Sequence, residues 1–97
     1  MNNHQTLYLN TVQEYNRQIM QLLGMGAQAD RKELERLSGI MKKLKSSLQK
    51  LNSETDKFKR YVNNPSKYKA ALKPYIEFLE TTKTEIEKVG KQHEPEY

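Results

Sequence analysis

The chain has 97 residues, 35% of them hydrophobic and 30% charged, with no cysteine, no tryptophan, a net charge of +5 and a pI near 9.4. So short a chain builds one core rather than two, and a mean hydropathy of −0.99 is too polar for a compact sphere but ordinary for an elongated helical protein. Without cysteine there is neither a disulfide nor a thiolate metal site; without a basic and apolar leader or an apolar run of membrane-spanning length, a soluble, cytoplasmic protein is expected, with signal-less export left open.

The first periodic segment covers about residues 4–23. Tyr8, Val12, Tyr15, Ile19 and Leu22 step by four and three, with Leu9, Met20 and Leu23 widening the stripe into one helix face. Gly24-Met25-Gly26 is expected to end the helix, its two glycines relieving the φ restriction of a turn, and Asp30 followed by Glu33 forms a capping-box-like start for the next helix.

The second segment, about residues 30–62, carries the strongest pattern. Leu34, Met41, Leu48, Thr55 and Val62 occupy heptad position a, and Leu37, Leu44, Leu51 and Phe58 occupy position d. One long central helix is expected, with Gly39 on its outward face.

Asn63-Asn64-Pro65 reads as a stop followed by a new start, Asn64 as N-cap and Pro65 at the first helical position. The third segment, about residues 65–90, places Tyr68, Leu72, Tyr75, Leu79, Thr82, Ile86 and Val89 on one face. Its phase runs through Pro74, so either a kinked helix or two coaxial pieces is expected. Gly90 is read as its end and residues 91–97 as a frayed tail. The fold expected is all-α: a single domain, an elongated antiparallel three-helix bundle of coiled-coil type with a long central helix.

Helices of about 30, 50 and 37 Å cannot cover one another fully. Residues 51–62 are therefore expected to pair with the start of the third helix alone, leaving a partly open hairpin tip. Charge gathers on the same stretch: residues 41–74 hold ten cations against Glu54 and Asp56, net +8, whereas residues 1–40 are neutral and residues 75–97 carry −3. Phe58, Tyr68 and Tyr75 occupy seam positions and are expected in the core, and Tyr61 is expected to be exposed.

Catalysis finds little support. His4 and His93 fall in expected tails, the acids Glu33/Glu35 and Glu85/Glu87 lie two apart and so point to different faces, and Gly24-Met25-Gly26 lacks the strand and third glycine of a phosphate loop. No cofactor, metal site or catalytic residue is expected, and the chain is read as a non-enzymatic interaction protein: an adaptor, chaperone-like partner or inhibitor. Its partner would be a helix or an acidic protein surface, or a second copy of the chain, contacted through Lys57, Lys59, Arg60, Tyr61, Lys67, Lys69 and Lys73. The alternative is sequence-neutral nucleic-acid binding, with Arg36, Lys43, Lys50 and Lys57 recurring every seven residues as a phosphate track. Thirteen lysines to four arginines argue against base readout, and membrane binding is disfavoured because the apolar faces are needed inside the bundle.

Overall fold

The computed structural model describes residues 3–93, and side chains as far as residue 90. Four helices follow in order: α1 (Asn3–Gly26), α2 (Arg31–Ser53), α3 (Thr55–Arg60) and α4 (Pro65–His93), with no strand among the described residues. The molecule measures 53 × 25 × 18 Å, and its radius of gyration of 15.7 Å exceeds the about 13 Å of a compact chain of this length.

Two helix starts form as their capping residues dictate. Asp30 accepts a hydrogen bond from the Glu33 backbone N–H at 2.9 Å, and Asn64 accepts one from the Lys67 N–H at 3.2 Å just before Pro65. The glycines behave otherwise than expected. Helix α1 continues through Gly24 and Gly26, no described glycine has a positive φ, and the reversal falls on residues 27–30. There the N–H groups of Gln28 and Ala29 reach back to the carbonyls of Met25 and Gly26. Helix α4 likewise passes through Gly90 to His93, which places residues 91–93 inside the helix rather than in a tail; residues 94–97 lie outside the described residues. Of the two outcomes expected at Pro74 the continuous helix is found. The carbonyl deprived of its donor belongs to Ala70, which is exposed and so faces water.

The long central helix is interrupted. Helix α2 ends at Ser53 and α3 begins at Thr55, with Glu54 at φ −95° and ψ 15° between them. The cause is local. Ser53 Oγ donates to the Lys50 carbonyl at 2.7 Å and Thr55 Oγ1 to that of Asn52 at 2.5 Å, so hydroxyls compete for acceptors of the helical ladder. Thr55, read as a seam residue, is exposed.

Contacts along α1 show how the helices cover one another. Helix α1 runs antiparallel to α2 and α3, meeting them at Gly26–Leu34, Tyr15–Ser47, Tyr8–Phe58 and His4–Val62. Helix α4 lies parallel to α1, through His4–Tyr68, Tyr15–Phe78, Gln18–Leu79 and Met25–Gly90.

The core follows position d of α2, with Leu37, Leu44 and Leu51 buried and Phe58 continuing the line in α3. Ile40, at position g, is buried too, whereas Met41 and Leu48 at position a are half-buried. A helix touching two neighbours needs a stripe wider than an a/d seam, which moves its centre onto d. Helix α4 contributes Tyr68, Leu72, Tyr75, Leu79, Ile86 and Val89. One polar layer crosses between α1 and α4: the buried Gln18 donates to the Leu79 carbonyl at 3.0 Å and to Glu14 at 2.8 Å, while Thr82 donates to Gln18 Oε1. Each buried polar group there has its partner, so the layer holds α1 and α4 in one register.

Candidate functional site

The end formed by α3 and the start of α4 is closed, and this overturns the expected open tip. Tyr8 of α1 meets Phe58 edge-on at 5.1 Å, Phe58 meets Tyr68 at 5.2 Å, and His4 meets Tyr68 at 4.7 Å. His4, expected in a tail, is buried in α1, with its Nε2 against the Val62 carbonyl. The side chain of His93 lies outside the described side chains. Phe58, Tyr68 and Tyr75 are buried, as their seam positions implied. Tyr61 is half-buried rather than exposed, with Lys67 Nζ 5.8 Å from its ring centre.

Burial sets the electrostatics of the aromatic groups. It pushes the Tyr75 phenol well above the usual tyrosine range, with a hydrogen bond to Glu54 adding to the effect, and it raises Tyr68 and Tyr15 in the same way.

Outside this aromatic cluster the cations are on the surface. Lys59, Arg60, Lys67, Lys69 and Lys73 are exposed and Lys57 is half-buried, so six of the expected partner-binding residues share one end of the molecule with Tyr61. Within the set one ion pair forms, between Lys73 and Glu77 at 3.8 Å. The heptad row is divided: Arg36, Lys43 and Lys50 remain exposed on α2, whereas Lys57 lies beyond the break on α3.

A second surface went unread in the sequence. Leu9, Met20 and Leu23 of α1 are 45%, 67% and 58% exposed, and Leu34 at the start of α2 is 43% exposed. Between α1 and α2, at the end remote from α3, lies an open groove of about 690 Å³ lined by Leu22, Leu23, Gly26, Leu34, Leu37 and Met41, with Lys42 and Lys45 on its rim. The signal for it was the charge content of the helices. Helix α1 holds only Glu14 and Arg17 among its 24 residues, and these two neutralise each other through a pair of 2.7 Å hydrogen bonds that keep the Glu14 carboxyl below its ordinary range. Solvated helix faces are rich in charge, and charge-depleted ones resemble the centres of protein interfaces.

Among the described residues no group of three or more acids and histidines is placed to hold a metal ion, and no helix is long and apolar enough to cross a membrane. No family model matches the chain, and no curated protein and no solved structure matches it.

Proposed function

We propose that α1, α2 and α4 form an antiparallel three-helix bundle, capped at one end by α3, that acts as a non-enzymatic protein-interaction module. It binds an acidic partner surface through the cations at the capped end: Lys57, Lys59, Arg60, Lys67, Lys69 and Lys73, with Tyr61 among them.

The observation that carries this reading is the position of Lys67 and Lys69. They stand in the first turns of α4, which has no acidic residue in its first turn, and the helix dipole disfavours cations there. Lys57, Lys59 and Arg60 have a local explanation, because they occupy the last turn of α3, where the dipole favours positive charge. Of the two α4 lysines, Lys67 has a local contact only with the Tyr61 ring, and for Lys69 no local partner is seen among the described residues. Cations held where they oppose helix stability point to a use outside the fold.

The test is photo-crosslinking in the producing cells, comparing the native chain with a Lys59→Glu/Arg60→Glu/Lys67→Glu/Lys69→Glu variant of unchanged helicity. The native chain is expected to crosslink discrete acidic proteins that the variant loses. Crosslinks retained by the variant would sink the reading, as would recovery of nucleic acid in place of protein.

A further inference from the structure

We infer that the α1/α2 groove at the end remote from α3 is a docking site for an acidic amphipathic helix of a partner protein, at least about three turns long. This rests on the chain being a protein-interaction module, but it uses a different surface and different forces from the basic end.

Shape argues for a helix. Leu34 and Met41 line the groove wall on α2 at heptad spacing, with the half-buried Leu48 one heptad further along, and Leu23 stands opposite on α1. A wall with that period receives side chains recurring at three and four residues, the pattern of an amphipathic helix laid into a groove. From Leu34 to Lys45 the wall extends about 16 Å, or three turns. Leu34 sits at a core heptad position and is still 43% exposed, so among the described residues the side that faces the groove has no full cover.

Charge argues for the sign of the partner. Among the described residues the ionisable side chains lining this groove are Lys42 and Lys45, with no carboxylate. Two smaller interhelical grooves are mixed in sign: Glu35 and Glu85 accompany Arg36, Lys43 and Lys88 between α2 and α4, and Glu14 and Glu80 accompany Lys83 between α1 and α4; a groove of about 200 Å³ between α1 and α3 shares the cationic character, with Lys59, but is too small for a helix. An apolar floor beneath a wholly cationic rim suits a helix with leucines on one face and carboxylates flanking them. A second copy of this chain suits it poorly, because a two-fold pairing of groove on groove brings four lysines together with no acid to offset them.

The probe is a synthetic peptide of about 18 residues with leucines at i, i+3, i+4 and i+7 and glutamates elsewhere, titrated into the ¹⁵N-labelled full chain. Controls are the same peptide with lysine for glutamate and one of equal composition with its leucines scattered. The ordered acidic peptide is expected to move the amide resonances of Leu23, Leu34 and Met41 and to bind at least about tenfold more tightly than either control. Leu23→Glu/Leu34→Glu should abolish that binding, whereas Lys59→Glu/Arg60→Glu should leave it unchanged.

Equal binding of the scattered peptide, or absence of binding by all three, overturns the inference. Binding that maps only to α3 and the start of α4, and survives Leu34→Glu, overturns the groove while leaving the proposed function standing. A homodimer in light scattering that Leu34→Glu dissociates assigns the groove to a second copy and overturns it as well.

Discussion

The two ends of this molecule solve opposite problems. At the α3 end the apolar seam is closed, by His4 and Tyr8 folding over Phe58 and Tyr68, and the cations stand outside it. At the α1–α2 turn the charges of Asp30, Arg31, Lys32, Glu33, Glu35 and Arg36 cancel, and Leu23 and Leu34 are left in contact with water. Large exposed apolar groups are therefore found where the core has been left uncovered, and uncompensated charge where it has been sealed. Charge acts over about 8–10 Å in salt and governs approach, whereas apolar contact acts at van der Waals distance and governs retention. One elongated body thus presents two surfaces of different physical kind, towards its opposite ends.

The sharpest way to break that comparison is to truncate one apolar group at each end. Phe58→Ala removes a buried ring from the closed cluster and is expected to destabilise the fold by about 3–5 kcal/mol in urea denaturation, whereas Leu34→Ser should change it by under about 0.5 kcal/mol. Equal losses at the two sites would mean that the groove is as much core as the tip.

Alkali should attack the closed half. Tyr68, Tyr75 and, nearer the middle, Tyr15 hold their protons more tightly folded than unfolded, because burial opposes the phenolate. Stability from these groups is intact below the ordinary tyrosine value of about 10 and is lost as pH rises through the raised folded values. Helicity and tyrosinate absorbance should then change together, and Tyr75→Phe should move the alkaline midpoint upward. Phenolate formation by these three with helicity intact would contradict the burial assigned to them.

His4→Ala should cost about 1–2 kcal/mol, the worth of one partly buried hydrogen bond and one edge-on ring contact. Its signature is regional: amide exchange should accelerate across residues 55–62 and stay unchanged at residues 27–34. The smallest effect carries the opposite sign. Lys67→Glu should raise the thermal midpoint, with a gain of about 0.3–1 kcal/mol at low salt that fades as salt is added. A fall in stability would remove the argument that Lys67 is held against the preference of its helix.

Much of the fold was legible because its determinants are short-range. Asp30 with Glu33 and Asn64 with Pro65 marked two helix starts through contacts spanning three residues, and position d of the central segment became the core line. The break at Glu54 was written in Asn52, Ser53 and Thr55, but an unbroken heptad pattern concealed it: Phe58 stays in phase on both sides of the interruption. Gly24, Gly26 and Gly90 misled in the other direction. A glycine lowers helix propensity by about 1 kcal/mol, and packing on both sides of it outweighs that.

Taken alone, the sequence determined that the chain is helical, where three of its helices begin, which side of each is apolar, and that positive charge collects between residues 41 and 74. These are properties of a period of 3.6 and of neighbours along the chain. Only the tertiary structure decided which apolar sides are covered. Whether His4 reaches Val62, and whether Leu34 is left in water, depends on how α1, α2 and α3 pair along their lengths. Coverage is a relation between segments distant in sequence, settled when the segments pack, and it leaves no mark on any one of them.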